Sequence, residues 1–486
     1  MQIHRGVVSV TVVSFALLLL FATMTSSSAS NFDFVSDKPK CIHRIESLLE
    51  DSVKELRSSG GDDCPSTAEN MSLSPVANLI YDSMTTPGRV YHAMQHVFEM
   101  SREMNDPILI ISALFHDVIY YSIDQAFSEE QSDALRGVLL ADTQQLTLAS
   151  EFDDPLVKMV VSLYGFQPGS PLPKLGTNEF LSAMIGVRVM SKYLSYSQLV
   201  QIATCIEATI PFRSTEEGRS PMDRLYDRLL PLAKGQSEEW MIDTVRKAAI
   251  TANYDLSSFD STDRDFFMDS SWKLLPEARP ILLREDCPLS EFLNELRALQ
   301  GRTKFLQSAV PRIFQCFRDS PTESDMEEKK RMTYENLDVV NEYSQIRLLQ
   351  VLVLAEFVDV MGEDPQTIPA RSCLRMDVPE VPGGPSENLT PIQKEIRNWL
   401  VNGRRAGFSW DPAASPLAAY LYDTLGPEGV NKAVDVANKQ EAGSHELLKF
   451  LPKNVVLTVA SRLGTVLPDR AERLLQVPEK LGIMAQ

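Results

Sequence analysis

The chain has few of the residues and motifs that mark common catalytic sites. Histidine occurs six times in 486 residues, and the six cysteines are scattered without a C-x-x-C pair, which excludes a zinc ribbon. The sequence contains no Walker loop, no G-x-S-x-G elbow, no H-E-x-x-H helix and no internal repeat. A P-loop nucleotide site, an α/β-hydrolase triad and a zincin-type metalloprotease site are therefore not expected.

The chain also has fewer positively charged than negatively charged residues. Lys and Arg number 47 against 66 Asp and Glu, which gives a formal net charge of -19 at pH 7. Because no overall positive field attracts a phosphate backbone, bulk nucleic acid is not expected as a partner, although a local basic pocket could still hold one phosphate group. The hydrophobic fraction of 44% and the charged fraction of 23% are typical of a globular protein with a large core.

The N-terminal segment, residues 1–30, has the layout of a secretory signal. A short basic start at His4-Arg5 precedes an apolar run from Val7 to Met24, and Ser28-Ala29-Ser30 is a suitable cleavage region. An uncleaved signal anchor is the alternative, because the apolar run approaches the length that spans a bilayer. We therefore expect the folded part to be extracellular or lumenal, and to be membrane-anchored only if this segment is retained.

Two further features fit a secretory route. Sequons at Asn70-Met-Ser72 and Asn388-Leu-Thr390 lie in loop-like stretches, as expected of a glycoprotein. Cys41 and Cys64 flank an early helical stretch and could close a disulfide, but six cysteines allow many connectivities.

Three of the six histidines fall between residues 92 and 116. His92 and His96 are four residues apart, and a helix predicted from about Gly88 to Asn105 would place them one turn apart on one face. The next segment is almost entirely apolar, opens with a proline and ends in His116-Asp117. Each histidine alone is more simply a core or surface residue. Together, imidazole nitrogens and a carboxylate at this spacing favour a divalent cation at a hydrolytic site.

The motifs Tyr91-His92-x-x-x-His96 and Phe115-His116-Asp117-Val-Ile-Tyr120 resemble those of the HD-domain metal-dependent phosphohydrolase superfamily, especially its predicted bacterial members. They are more distantly similar to cyclic-nucleotide phosphodiesterases. The resemblance covers roughly residues 74–259 and extends at most to residue 361. It implies an all-α fold, an HD-domain helical bundle followed here by an additional C-terminal helical region. It is specific for the superfamily and says little about the substrate.

The resemblance also implies a ligand set and a mechanism. A late aspartate completes the site in that superfamily, and Asp255 in Asn253-Tyr-Asp255-Leu is our choice, with Asp260 and Asp263 as competitors. One divalent ion (Mn, Fe, Mg or Zn) would then be held by His96, His116, Asp117 and Asp255. The ion would assist hydrolysis of a phosphoester. By similarity to the phosphodiesterases, His92 would protonate the leaving oxygen.

Four other residues are candidates to hold the metal-ligating side chains in position or to contact substrate. Glu129 and Glu130 follow Ser128 at a helix start, where simple capping carboxylates are an equally good interpretation. Glu207 lies in an apolar run and Arg213 follows it, so the two could serve the site or form an ordinary buried ion pair. The sequence leaves these alternatives open.

Composition shifts divide the chain into five predicted parts. These are the signal or anchor at 1–30, an N-terminal helix and linker at 31–74, an HD-type helical domain at 75–361, a Pro/Gly/Ser-rich linker at 362–391 and a C-terminal helical region at 392–486. The predicted function is metal-dependent hydrolysis of a small phosphorylated or nucleotide-like compound. The alternative is a non-catalytic HD-fold binding or scaffold protein that retains the helices and even the metal.

Overall fold

The computed structural model describes residues 33–59, 71–140, 145–374, 376–378, 389–405, 407–408 and 410–483. Within these ranges the regular structure is helical, with isolated β-bridges and no strand, which confirms the predicted all-α class. The predicted signal segment, Cys64 and the asparagines of both sequons lie outside the described residues. None of the helices in the described ranges is both long enough and apolar enough to cross a membrane.

In the first half of the chain, the described residues form eleven helices that surround one hydrophobic core. They are α1 (Lys38–Ser59), α2 (Ser74–Met84), α3 (Met94–Ser101), α4 (Pro107–Phe115), α5 (Tyr121–Asp124), α6 (Glu129–Ala134), α7 (Pro155–Tyr164), α8 (Thr177–Met190), α9 (Tyr196–Ala208), α10 (Pro221–Leu229) and α11 (Glu238–Asp255). We call their shared interior the first core; with one exception its buried apolar residues run from Cys41 to Ala252.

Helix α4 lies at the centre of the first core and positions the H-D pair. Asp106 caps its N-terminus by accepting hydrogen bonds from the N–H groups of Ile108 and Leu109, and Pro107 occupies the first turn. The helix contacts α1, α3, α8, α9 and α11, and nearly all of its side chains are buried. Each fully buried Ile or Leu contributes about 1.5–3 kcal/mol, so the position of α4 is firmly set. His116 and Asp117 follow directly after it.

The residues described in the second half of the chain form another ten helices. They are α12 (Arg264–Ala278), α13 (Leu289–Ala309), α14 (Glu323–Val360), α15 (Ala370–Leu374), α16 (Pro391–Asn402), α17 (Pro416–Lys439), α18 (Glu446–Phe450), α19 (Lys453–Val466), α20 (Ala471–Leu475) and α21 (Val477–Lys480). Their buried apolar residues form the second core, which runs from Phe267 to Ile483. From this half of the chain, Phe317 is the only apolar residue that the structure describes as buried in the first core.

The division between the two cores differs from the domain boundary that we predicted at 362–391. The long helix α14 is apolar on several faces and packs against both α13 and α17, so residues 264–360 share a core with the C-terminal region. Part of the predicted linker is also packed, because Ala370, Cys373 and Leu374 are buried. The described residues before and after this stretch contribute to the same core.

The predicted helix from Gly88 to Asn105 is shorter in the structure. It begins at Met94, so His92 lies in the turn before α3 and the two histidines do not share a helix face. Gly88 has a positive φ of 100°, and the backbone N–H groups of residues 90–92 donate to the side chain of Glu277. These amides therefore bond to a distant carboxylate and not to carbonyl groups one turn earlier.

Candidate metal site

Four of the sequence-predicted residues meet at one point in the first core. His96 comes from α3, His116 and Asp117 follow α4, and Asp255 is the last residue of α11. Asp255 Oδ1 lies 3.1 Å from His96 Nε2 and 3.4 Å from His116 Nε2. Asp117 Oδ2 lies 3.0 Å from His116 Nε2 and 3.9 Å from His96 Nε2. We call these four residues the metal cluster; the ligand atoms of His96, His116 and Asp255 all lie within 4.8 Å of one another.

The donor atoms of the metal cluster suit a divalent cation. His116 Nδ1 lies 2.8 Å from the carbonyl oxygen of Ala113 and donates to it, which leaves Nε2 with a free lone pair. Both His116 Nε2 and Asp117 Oδ2 are buried and have no hydrogen-bond partner within the described ranges. Unpaired buried acceptors of this kind are costly, at about 1–3 kcal/mol each, and a cation would satisfy both.

The charges around the cluster also favour a cation. Burial by itself raises the pKa of Asp117 and Asp255, but the positive charge of protonated His116 outweighs burial at both. Burial in turn lowers the pKa of His116, and the two carboxylates outweigh it and raise that pKa well above 6.5, so a cation would take the place of the proton on Nε2. The pKa of Asp117 falls well below its ordinary range and that of Asp255 falls to about 2. Both side chains are therefore carboxylates at neutral pH, and two negative charges stand beside two imidazoles, a donor set that Mn, Fe or Zn binds well.

The two competitors for Asp255 have other partners. Asp260 forms an ion pair with Lys329 at 2.6 Å. Asp263 caps α12, accepts from the N–H of Phe266 and pairs with Arg405. Both carboxylates are therefore used in the structure of the α11–α12 connection, whereas Asp255 alone among the three lies in the metal cluster.

His92 lies beside the metal cluster without joining it. Its ring centroid is 6.1 Å from that of His96, and its ring stacks on Tyr120 with centroids 4.2 Å apart. The Nδ1 atom lies 2.7 Å from Glu277 Oε2, and the side chain is 17% exposed. Burial lowers the pKa of His92, but the hydrogen bond to Glu277 and the charge of Asp117 outweigh it and raise the pKa. His92 can therefore carry a proton at neutral pH next to the cluster.

Sequence reasoning missed two residues that hold this segment in place. Glu277 accepts three backbone hydrogen bonds from residues 90–92 in addition to that of the His92 ring. Arg89 is buried, pairs with Asp124 at 2.6 Å and donates to the carbonyl oxygen of Asp117 at 2.6 Å. Arg89 lies two residues before the Tyr91-His92 motif and offered a local signal. Glu277 lies 185 residues beyond His92, and nothing in the sequence pointed to it.

Glu179, at the start of α8, is another carboxyl group within electrostatic range of the cluster. Burial raises its pKa to about 7, aided by the charges of Asp117 and Asp255 and opposed by a hydrogen bond with its own backbone. Its carbonyl oxygen accepts a hydrogen bond from the Tyr164 hydroxyl at 2.8 Å. Glu179 can therefore exchange a proton near neutral pH, a property that no sequence motif indicated.

Three of the remaining four candidates, Glu130, Glu207 and Arg213, have local structural partners. Glu129 and Glu130 are exposed in the first turn of α6, and the Ser128 hydroxyl donates to Glu130 at 3.0 Å. Glu207 is buried and forms ion pairs with Arg213, at 2.6 Å, and with Arg228. These contacts match the helix-cap and ion-pair alternatives that the sequence left open.

Comparison of the chain with models of protein families, with curated proteins and with solved structures found no match. The likeness to HD-domain proteins therefore depends on the motif residues themselves. Because fold alone does not decide function, the function has to be argued from the geometry of the site.

Proposed function

We propose that the protein is a metal-dependent phosphohydrolase of the HD type, acting on a small phosphorylated or nucleotide-like compound. The observation that carries the proposal is the convergence of two imidazoles and two carboxylates, with His116 Nε2 and Asp117 Oδ2 unpaired, beside the partly exposed His92. The N-terminal segment supports a lumenal or extracellular location as part of the same proposal.

In this mechanism His96, His116, Asp117 and Asp255 would hold the ion, which would supply Lewis acidity toward a phosphoryl oxygen. The carbonyl oxygen of Ala113 keeps the His116 proton on Nδ1, so that Nε2 stays available as a ligand atom. His92 holds the proton that the leaving oxygen requires. Since Glu277 accepts from Nδ1, the transferable proton of the imidazolium is the one on Nε2.

The first experiment measures metal content in purified protein that lacks residues 1–30. We expect about one ion per chain in this protein and none in a His116→Ala, Asp117→Ala double variant, since these residues supply two of the four ligands. His43→Ala is the matched control, because His43 is an exposed histidine on α1. The metal-loaded protein is then tested on p-nitrophenyl phosphate and bis(p-nitrophenyl) phosphate.

Hydrolysis that is lost in the double variant and kept in His43→Ala would support the proposal. A wild-type protein that binds neither Mn nor Zn would contradict it. A protein that binds one ion but hydrolyses no phosphoester in a broad screen would instead favour the scaffold alternative, in which the site is retained without turnover.

A further inference from the structure

Helix α12 belongs to the second core but ends in the site of the first. Its side chains Phe267, Met268, Trp272 and Leu275 are buried in the second core. In its last turn Glu277 crosses to the first core, where its side chain is only 4% exposed. The site around His92 is therefore assembled from both cores.

Glu277 makes four hydrogen bonds across this junction. Its Oε1 accepts from the backbone N–H groups of Val90, Tyr91 and His92, at 2.7, 2.7 and 3.0 Å. Its Oε2 lies 2.7 Å from His92 Nδ1. Because an ionised carboxylate only accepts hydrogen bonds, His92 Nδ1 has to be the donor, and the other ring nitrogen is left for chemistry.

Two other hydrogen bonds fix the position of α12 relative to both cores. Trp272 Nε1 donates to Asp411 at 2.8 Å, inside the second core. Lys273 Nζ donates to Gln95 at 3.2 Å, on the α3 helix that carries His96. The position of Glu277 relative to the metal cluster is thus determined on both sides.

We propose that Glu277 is a positioning residue through which the second core completes the site: it fixes the backbone of residues 90–92 and holds the proton of His92 on Nδ1. This inference rests on the proposed function for its consequence in catalysis. The tautomer and orientation of the His92 imidazole can be measured whether or not the protein turns over a substrate.

The test compares Glu277→Gln with the wild type in ¹⁵N-histidine-labelled protein. Long-range ¹H–¹⁵N spectra distinguish the two tautomers of an imidazole, and a His92→Asn variant identifies the His92 signal by its loss. The glutamine oxygen can keep the backbone bonds while its NH₂ group faces the ring and donates. At a pH where the His92 ring is neutral, we expect its proton on Nδ1 in the wild type and on Nε2 in Glu277→Gln.

Glu291→Gln is the matched control, because Glu291 is a second-core glutamate that pairs with Arg279, next to the end of α12, and has no bond to residues 90–92. It should leave the His92 signal unchanged. A His92 tautomer that is the same in Glu277→Gln as in the wild type would overturn the proposal. So would a wild-type His92 protonated on Nε2 alone, a result that needs no variant to fold.

Kinetics supply the second readout. If His92 protonates the leaving oxygen, Glu277→Gln should lower kcat on the order of 10²-fold for an alkyl phosphate ester, with less effect on a p-nitrophenyl ester, whose leaving group needs little protonation. KM should change little. Equal losses for both esters would overturn the positioning role. If the wild type hydrolyses neither ester, the proposed function fails, and the tautomer measurement still decides the role of Glu277.

Discussion

Two of the buried ionic clusters among the described residues, one in each core, differ in how their polar atoms are used. In the second core Asp411, with no exposed side-chain surface, accepts from Arg347 at 2.6 Å and from Arg404 at 3.0 Å. We call these three residues the arginine cluster. Both oxygens of Asp411 accept hydrogen bonds there, and the buried atoms without a hydrogen-bond partner are donors, Arg347 Nε and Arg404 Nε. In the metal cluster the atoms without a hydrogen-bond partner among the described residues are His116 Nε2 and Asp117 Oδ2, which can both ligate a cation.

The difference shows that burial of charge does not by itself mark a functional site. A planar guanidinium matches the two oxygens of a carboxylate, and Arg347, Arg404 and the Trp272 N–H together supply donors to both oxygens of Asp411. The excess positive charge of the arginine cluster is stabilised by aromatic rings, since the Arg404 guanidinium lies 4.9 Å from the ring centroid of Trp272. In the metal cluster, by contrast, the imidazole nitrogens and carboxylate oxygens converge on one point, which is the arrangement that a bound cation requires.

The largest expected effect comes from opening the arginine cluster. Asp411→Asn leaves two buried guanidinium groups without their carboxylate, and we expect the free energy of unfolding of the second core to fall by about 3–5 kcal/mol. Urea denaturation followed by circular dichroism measures this. The control is Asp286→Asn, which breaks an exposed pair with Arg284 and should change nothing measurable. Equal behaviour of the two variants would show that the arginine cluster does not stabilise the core.

Acid should remove the same contribution. Burial raises the pKa of Asp411, but the charges of Arg347 and Arg404 outweigh burial and lower the pKa below its ordinary value of 3.8. A lowered pKa in the folded state contributes stability that is complete above 3.8 and is lost as the pH falls through the folded value. The stability difference between wild type and Asp411→Asn should therefore be constant from pH 7 to about 5 and shrink below 3.8. A difference that grows in acid would contradict this assignment of charge.

The metal cluster should respond to ligand where the arginine cluster does not. Adding Mn or Zn at a hundredfold excess over the dissociation constant should stabilise the wild type by about 2.7 kcal/mol, because only the folded state holds the site. Thermal unfolding with and without metal measures the shift. Asp255→Asn should abolish it, and Asp260→Asn, which alters a competitor outside the cluster, should keep it. A shift that survives in Asp255→Asn would place the ion elsewhere.

The smallest expected effect tests the link between the two clusters. Trp272→Phe removes the N–H that donates to Asp411 and part of a buried ring that packs beside Arg404, so we expect a loss of about 2 kcal/mol in the free energy of unfolding. Because Trp272 and Glu277 share α12, metal binding should stay intact while the His92 signal shifts slightly. An unchanged His92 signal would show that the Glu277 contacts alone hold His92.

Local patterns in the sequence predicted much of the fold and part of the candidate site. The apolar segment from Pro107 has its cap and proline, and α4 forms there as expected. The all-α class followed from similar patterns along the chain. The segment before α3 was harder to predict, because helical spacing cannot reveal that a distant carboxylate takes the backbone N–H groups of residues 90–92.

The boundary between the two cores likewise could not be predicted from the sequence. Residues 362–391 have the composition of a linker. Helices α13 and α14 precede them in the chain and α17 follows them, and the packing of α14 against α13 and α17 depends on contacts between distant parts of the chain. Linker composition reports solvent exposure along a short stretch. It carries no information on which helices share an interior.

The amino-acid sequence by itself determined the helical class, the H-x-x-x-H and H-D motifs and a short set of candidate ligands, because these depend on residue type and on spacing within a few turns. Only the tertiary structure decided that Asp255 meets the three motif residues, that Glu277 fixes His92 and that Glu207 pairs with arginines. The physical reason is the same in each case. The role of a carboxylate depends on the residue that it contacts, and in this protein the packing of helices brings that residue to it.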